Sequence, residues 1–355
     1  MSRLAVAPIL VVDIRDDGPL RHAIAGRGRV RALRDECVDW LPRVAVGLLP
    51  ALDFVTRRWL MRSRSPYAAE IHSIADELGF PGIWFLNGCY QWGCTALARE
   101  QGGLPWLVRT LDWPFPGLGR HVEVTRMRGI AGDFDNLTWP GYVGVLTASA
   151  PGRFGACINQ APMWRRTGRP WLRPYDIALN AMQTWSIRAI PPDHLLRHVF
   201  ETCTTYAEAK HRLQTTTIAR PAIYTLIGCS PGERCVIERT QDGFSSREHD
   251  TAAANDWLQS RPFWEARVGP EVLFTRTFDE AAENSRARCG YLAGWPGRFA
   301  GEFDWVVPPV LNLQTRLAVE MCPAGSVLRA IGYERVDGRD LPEPATRTCE
   351  ITLPN

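Results

Sequence analysis

The sequence has no pair of cysteines at the CxxC spacing of zinc sites and redox motifs, although ten of its 355 residues are cysteine. It also has little net charge, +3 at pH 7, and no basic stripe interleaved with stacking aromatic residues. No internal repeat or low-complexity segment is visible. These absences argue against a zinc or thiol-redox protein and against nucleic-acid binding. Most of the cysteines are expected to be small buried hydrophobic residues.

The sequence also has no apolar run that is long and uninterrupted enough to span a bilayer. The apolar stretch 39–64 is broken by Pro42 and Pro50 and ends among several arginines. We expect either a pair of helices that covers the core or a helix at a membrane surface. Near the N-terminus, the apolar run PILVVDI is followed by acidic residues instead of a cleavage site. It predicts a first strand and a cytoplasmic protein that is soluble or membrane-peripheral.

Residues 1–93 have helix-like patterns, whereas strand patterns and turns predominate over 94–355. In the first part, Ile71, Ile74 and Leu78 have the spacing of a helix with one face toward a core. In the second part, strand-like segments are separated by Gly and Pro turns, with helical segments between them. This arrangement predicts an α+β fold in which largely antiparallel sheets stack and are covered by helices.

A hairpin is predicted around Gly102 and Gly103, in the stretch CTALAREQGGLPWLVRTLDW. A turn centred between the two glycines places Cys94 opposite residue 111. Arg109 and Asp112 then lie within about two residues of the cysteine. Because these two residues are three positions apart, a regular strand would point them to opposite faces. We therefore expect a bulge or a strand end within RTLDWP that lets both side chains approach the thiol.

A thiol between an arginine and a carboxylate is a candidate reactive group, because the cation lowers the cost of forming a thiolate. No histidine neighbours Cys94 in sequence, so the residues alone supply no base. Two alternatives stay open: Cys94 pairs with a histidine that is distant in sequence but close in the fold, or it is a buried structural thiol.

Several motifs, in this order and spacing, resemble the cysteine N-terminal nucleophile (Ntn) hydrolases. Within them, the similarity is to the acid ceramidase and N-acylethanolamine acid amidase group, related to choloylglycine hydrolases and penicillin V acylases. The stretch that begins at Cys94 resembles the Cys-Thr strand, turn and Arg-x-x-Asp strand of that group. PAIYTLIGCSPGERCVIERTQDG resembles the hairpin before its catalytic asparagine, here Asn255, 161 positions after the cysteine. NSRARCGYL resembles its arginine-bearing helix.

The resemblance implies a four-layer αββα sandwich over 94–355, preceded by a mainly helical prosegment over 1–93. It also implies that the chain cuts itself between Gly93 and Cys94 and that the two pieces stay associated. The freed α-amino group, with a reference pKa of about 7.7 to 8.0, would then be the missing base. The thiolate would attack an amide, release the amine and leave an acyl-enzyme for water to clear.

The resemblance also assigns roles to individual side chains. Asp112 would bind the α-amino group, Arg109 would act on the thiolate, and Asn255 would donate to the oxyanion. Asn159 resembles the second oxyanion position of bile-salt hydrolases. An arginine of NSRAR, either Arg286 or Arg288, would complete the polar cluster.

The resemblance predicts hydrolysis of a fatty N-acyl amide such as a ceramide or an N-acylethanolamine, without metal or cofactor. Gln160 stands where acid ceramidase relatives usually carry Glu. A bile-salt, penicillin V or N-acyl-homoserine-lactone acylase would share the same catalytic residues, and an uncleaved, inactive acyl-lipid-binding protein is a further alternative. An apolar acyl pocket is compatible with the tryptophans around the expected site, namely Trp84, Trp92, Trp106, Trp113, Trp139 and Trp164.

Overall fold

The computed structural model describes residues 6–39, 46–259 and 261–352. Within these ranges the α-helices are α1 (Gly18–Ala25), α2 (Arg27–Asp39), α3 (Leu49–Arg62), α4 (Ala68–Leu78), α5 (Ile83–Gly88), α6 (Arg173–Ser186), α7 (Pro192–Thr202), α8 (Tyr206–Thr215) and α9 (Phe278–Ala293). Short 3-10 turns cover Pro170–Leu172, Pro270–Val272 and Pro323–Gly325.

The strands in the same ranges form two large sheets and one small ribbon. They are β1 (Leu10–Asp13), β2 (Gly93–Gln101), β3 (Leu104–Asp112), β4 (Glu123–Gly129), β5 (Gly132–Thr138), β6 (Thr147–Ala150), β7 (Phe154–Gln160), β8 (Met163–Trp164), β9 (Ala222–Ile227), β10 (Arg234–Arg239), β11 (Phe244–Arg247), β12 (Thr251–Ala253), β13 (Trp264–Glu265), β14 (Thr315–Cys322), β15 (Val327–Glu334), β16 (Glu343–Pro344) and β17 (Cys349–Thr352).

The first sheet has the order β1-β4-β5-β6-β7-β9-β10-β11, and only the β1–β4 pair in it is parallel. The second sheet has the antiparallel order β12-β2-β3-β14-β15-β16, with β17 also paired to β15. Strands β8 and β13 form the ribbon. The predicted first strand is confirmed as β1.

The two sheets stack face to face, because β2 and β3 of the second sheet pack against β7 and β9 of the first. Helix α9 covers the outer face of the second sheet at β2 and β12, and α7 and α8 cover the first sheet. The predicted fold class, α+β with two stacked antiparallel sheets between helices, is confirmed. The largest apolar core lies between the sheets.

The β2–β3 hairpin sets the position of the cysteine. Gly102 and Gly103 have φ of +64° and +79°, the left-handed region that a two-residue hairpin turn requires. The register pairs Gln101 with Leu104 and therefore Cys94 with Leu111, as the sequence predicted. Because side chains alternate along a strand, Cys94 faces the core between the sheets.

The described part of residues 1–93 is mainly helical but also supplies β1 to the first sheet. Helix α4 confirms the predicted amphipathic helix: its core-facing residues are buried, and it ends at Gly79 with φ +65°. In the apolar stretch 39–64, residues 40–45 lie outside the described ranges and 49–62 form α3. No helix among the described residues is long and apolar enough to cross a membrane.

Candidate active site

Cys94 is the second residue of β2 and is fully buried between the sheets. Its Sγ accepts a hydrogen bond from Nη2 of Arg109 at 2.6 Å and lies 3.7 Å from the backbone oxygen of Ile158, toward which the thiol donates. The thiol thus lies between its own hairpin and a strand of the opposite sheet.

Arg109 is fixed by the first sheet as well as by its own strand. Its Nη1 donates to the backbone oxygen of Leu146 at 3.0 Å and to Oγ1 of Thr147 at 2.6 Å. Burial raises the pKa of the Cys94 thiol to about 12, although the charge of Arg109 acts to lower it. The arginine has the predicted sign of effect, but burial outweighs it, so the thiol of the intact chain is protonated at neutral pH.

The backbone of Cys94 is held from the other side of the second sheet. Its N–H donates to Oδ1 of Asn255 at 2.9 Å, and its carbonyl oxygen accepts from Nη1 of Arg288 at 2.7 Å. Nη2 of Arg288 donates to the same Oδ1 of Asn255 at 3.1 Å. Arg288 therefore bridges the cysteine and the asparagine. Arg286, the other candidate in NSRAR, is on the exposed face of α9, where its charge acts on Asp256.

Asp112 ends β3 directly opposite Gly93. Its Oδ1 accepts from Oγ1 of Thr315 at 2.9 Å, and its Oδ2 lies 3.6 Å from Nη1 of Arg288. Asp112 therefore lies on the α9 side of the sheet, whereas Arg109 points between the sheets.

The expected strand end is present, since β3 ends at Asp112, but the expectation that it would bring Arg109 and Asp112 to one face was wrong. The register of β2 with β3 is regular, and the irregularity lies in the neighbouring strand, between Thr315 and Leu317. Arg109 therefore contacts the thiol, whereas the Asp112 carboxylate lies beside Gly93 and acts on the thiol only through its charge.

Asn255 follows β12 in a loop that several polar groups hold in place. Its backbone N–H donates to Oγ of Ser285 at 2.9 Å, and its Nδ2 donates to the backbone oxygen of Gln160 at 2.8 Å. Asn159 supports the same loop, because its Nδ2 donates to the backbone oxygens of Ala253 and Ala254, both at 3.1 Å. In this geometry its amide is engaged away from the thiol, and its oxyanion role stays a prediction.

Arg267 belongs to the site but was not predicted from the sequence. Its Nη1 donates to Oε1 of Gln314 at 3.3 Å, its Nη2 donates to the backbone oxygen of Gln91, and its backbone N–H donates to the oxygen of Asn255 at 3.2 Å. Burial lowers its pKa to about 10. A Cβ at Gly93 would lie 3.3 Å from Nη1, so this guanidinium touches the residue before the cysteine. No motif in WEARVG marks it.

A cleft of about 780 Å³ adjoins this cluster. Gln91, Gln160 and Arg267 line its end nearest the cysteine, while Val55 of α3 and Ile177 of α6 belong to its apolar wall. Four tryptophans line it, namely Trp59, Trp164, Trp185 and Trp264. Of the six tryptophans expected around an acyl pocket, only Trp164 is among them; Trp92, Trp113 and Trp139 instead pack edge to face with one another in the core.

Among residues 6–39, 46–259 and 261–352, no cluster of three or more His, Cys, Asp or Glu side chains could hold a metal ion. What the site does offer is a buried thiol with an arginine on its sulfur and an amide oxygen on its nitrogen.

Comparison with known proteins gives the same group that the motifs resemble. No family model matches the chain. It is 27% identical to the N-acylethanolamine-hydrolyzing acid amidase of Oryctolagus cuniculus over 185 residues, which is 50% of this chain and 49% of that protein. It is 25% identical to the acid ceramidase of Rattus norvegicus over 253 residues, 66% of this chain and 58% of that protein. The predicted resemblance to the acid ceramidase and N-acylethanolamine acid amidase group is confirmed.

The chain thus spans between half and three fifths of the length of these relatives. Among solved structures, the Caenorhabditis elegans N-acylethanolamine-hydrolyzing acid amidase ortholog is 18% identical, with a TM-score of 0.48. That match covers 65% of this chain and 93% of that one.

Proposed function

We propose that this protein is an amidohydrolase that cleaves N-acyl lipids with Cys94 as an N-terminal nucleophile. The observation that carries the proposal is the pair of contacts on one residue: Arg109 Nη2 lies 2.6 Å from Sγ, and Asn255 Oδ1 lies 2.9 Å from the backbone nitrogen. A structural thiol needs neither contact. A nucleophile that must act through both its sulfur and its nitrogen needs both.

The first step is self-cleavage. Sγ of Cys94 attacks the carbonyl carbon of Gly93, the carbon–nitrogen bond breaks, and the departing amine takes up the proton that the thiol gives up. Water then hydrolyses the thioester, which leaves a carboxylate on Gly93 and a free thiol on Cys94. Arg288 already holds the carbonyl oxygen of Cys94, so the residue stays in place while its nitrogen is released.

In the mature protein the new α-amine serves as the general base. Its reference pKa of about 7.7 to 8.0 leaves a fraction of the amine unprotonated near neutral pH, and this unprotonated amine takes the proton of its own thiol as Sγ attacks the substrate. Asn255 Oδ1 accepts a hydrogen bond from this nitrogen, and Asp112 lies beside it to stabilise the protonated amine. Arg109 stabilises the thiolate as it forms, and the thiolate attacks the carbonyl carbon of the substrate amide. The carbon–nitrogen bond breaks, the amine leaves with the proton that the α-amine took up, and water hydrolyses the thioester to release the acid and restore the thiol.

The acyl chain of the substrate would occupy the cleft between α3 and α6. The indoles of Trp59, Trp164 and Trp185 give it an apolar lining, and its polar end adjoins Gln160 and Arg267. A fatty chain fits this lining, with a ceramide or an N-acylethanolamine as the substrate class.

Contact with a membrane surface would deliver such substrates. Helix α3 exposes Phe54, Val55 and Met61 at 63%, 52% and 50%, and Val55 also lines the cleft. An exposed apolar face of this kind beside a cleft opening suits a lipid surface. Because α3 precedes Gly93 and forms part of the cleft wall, the two pieces must remain associated after cleavage for the cleft to persist.

The experiment compares the purified protein with its Cys94→Ala variant on a panel of ceramide, N-acylethanolamine, penicillin V, glycocholate and an N-acyl-homoserine lactone. We expect hydrolysis of the fatty amides by the wild type and of nothing by the variant. Hydrolysis of penicillin V, glycocholate or the lactone alone would move the protein to the acylase alternative. An uncleaved chain that binds acyl lipids and hydrolyses none of them would identify it as a binding protein.

A further inference from the structure

Arg220 is a cation in the cleft that no described contact neutralises. It precedes β9, it is half-buried, and it lines the cleft with Tyr90 and Gln160. Its guanidinium carbon lies 4.3 Å from the ring centroid of Tyr90. Among residues 6–39, 46–259 and 261–352, this stacking is its one described direct contact, with no hydrogen bond or ion pair from the guanidinium.

The nearest acidic group is already occupied. Asp193 acts on Arg220 only through its charge, because its Oδ1 accepts from the hydroxyl of Tyr90 at 2.5 Å and its Oδ2 from that of Tyr142 at 2.7 Å. Nε2 of the buried His194 lies 3.8 Å from Oδ2 of Asp193, and burial lowers the pKa of this histidine. Arg220 therefore keeps its hydrogen-bond donors free.

The other charged residues of the cleft do not compensate for it. Glu265 is paired with Arg173, and Arg165 and Asp176 complete this buried network behind the wall. Arg267 donates to neutral oxygens. The cleft is thus apolar along its helices and cationic at the end near the cysteine.

The sheet register indicates that Arg220 lies near the position of the amide that would be cleaved. Ala222, two residues later, pairs with Gln160, whose carbonyl accepts from Asn255 Nδ2. Arg220 therefore lies at the same end of the first sheet as the asparagine that contacts Cys94. An anionic group that meets it must be close to the scissile amide and not at the far end of a long chain.

We propose that Arg220 binds a carboxylate on the substrate and that the preferred substrates are N-acyl amino acids, with a fatty acyl chain and an anionic amine portion. This inference rests on the proposed amidase function and replaces the neutral amine portion of a ceramide or an N-acylethanolamine with an anionic one. A half-buried guanidinium is only partly exposed to solvent, and a carboxylate supplies two parallel hydrogen bonds to its planar fork. Stacking on the Tyr90 ring holds the guanidinium in one orientation.

The test compares N-lauroylglycine with N-lauroylglycinamide, which differ in one group, an anionic carboxylate in the first and a neutral carboxamide in the second. We expect the mature wild type to prefer the acid by roughly 10- to 100-fold in kcat/KM, mainly through KM, because hydrogen bonds to charged groups are the strong ones. Arg220→Gln should remove this preference by raising KM for the acid alone, and Arg220→Lys should keep part of it. Arg21→Gln, an exposed arginine of α1, is the control for net charge.

Equal hydrolysis of the two amides by the wild type would overturn the inference. So would an Arg220→Gln variant that loses activity on both amides equally, since that result marks a purely structural arginine. If neither amide is hydrolysed although a ceramide or an N-acylethanolamine is, the inference fails and the proposed function stands. If no fatty amide is hydrolysed at all, the proposed function fails and the same pair serves as ligands in calorimetric titration. Tighter binding of the acid that depends on Arg220 would then uphold the carboxylate site, and equal binding would reject it.

Discussion

The backbone nitrogen of Cys94 lies 2.9 Å from Oδ1 of Asn255, across 161 positions of sequence. In the intact chain this nitrogen is an amide that donates one hydrogen bond. Under the proposed self-cleavage it would become an amine, and the same oxygen would orient it beside its own thiol. The proposal therefore gives this one contact a role before and after the cut.

Replacing Asn255 with Ala should slow both self-cleavage and amide hydrolysis by roughly 10²- to 10³-fold, the typical cost of losing one such polar group at a reacting centre. The fraction of cleaved chain over time and kcat of the cleaved material measure the two effects. Asn159→Ala, which removes two hydrogen bonds to the loop but no contact with Cys94, should give a smaller loss. A wild-type cleavage rate in Asn255→Ala would contradict the role of this contact.

Arg288→Gln should reduce self-cleavage by about 10²-fold or more, because its guanidinium holds the Cys94 carbonyl, Oγ1 of Thr95 and Oδ1 of Asn255. Arg286→Gln is the matched control, since it removes the same charge from the exposed face of the same helix. Gel analysis of freshly expressed protein separates cut from uncut chain. Equal defects in the two variants would mean that the charge of α9, and not this contact, matters.

Asp135 gives the stability of the fold a pH dependence. Burial raises its pKa to about 6, its Oδ2 has no hydrogen-bond partner, and Arg126 lies 3.4 Å from its Oδ1. Because the folded carboxyl binds a proton more tightly than the unfolded one with pKa 3.8, its cost to stability is absent below pH 3.8. The cost grows as pH rises and is complete above pH 6.

Asp135→Asn should therefore raise the free energy of unfolding at pH 8, by at most about 3 kcal/mol, and leave it nearly unchanged at pH 4. Urea unfolding at the two pH values measures this difference. Asp133→Asn, an exposed position two residues earlier in β5, should not stabilise the protein at pH 8. A destabilised Asp135→Asn variant at pH 8 would mean that the pair with Arg126 outweighs the cost of burial.

Phe54→Ser should weaken binding to phosphatidylcholine and phosphatidylglycerol vesicles by roughly ten-fold or more, the value of one large apolar side chain withdrawn from lipid. Ile130→Ser is the control, because Ile130 is 90% exposed in a hairpin of the first sheet. Co-sedimentation with vesicles measures both. Unchanged binding in Phe54→Ser would remove α3 from the membrane contact.

Local geometry could be predicted from the sequence where short-range rules decide it. Two adjacent glycines fix the turn of the β2–β3 hairpin, so the pairing of Cys94 with Leu111 followed from counting residues. The spacing of Ile71, Ile74 and Leu78 likewise fixed the buried face of α4.

Contacts across long separations could not be predicted in the same way. The choice between Arg286 and Arg288 depends on which face of α9 packs on the sheet. Two residues along a helix differ by more than half a turn, so the two arginines point in nearly opposite directions. Arg267 reaches the site from a loop after the short strand β13, with no motif to mark it. The high pKa of the Cys94 thiol arises from burial by both sheets, which a count of neighbouring charges does not include.

The most direct measurement is intact-mass analysis with N-terminal sequencing of the purified, active protein. The account predicts two associated pieces, one ending at Gly93 and one beginning with CTALARE, and a single uncut chain for Cys94→Ala. Amide hydrolysis by a chain that remains whole at 39.8 kDa, or cleavage that survives in Cys94→Ala, would contradict it.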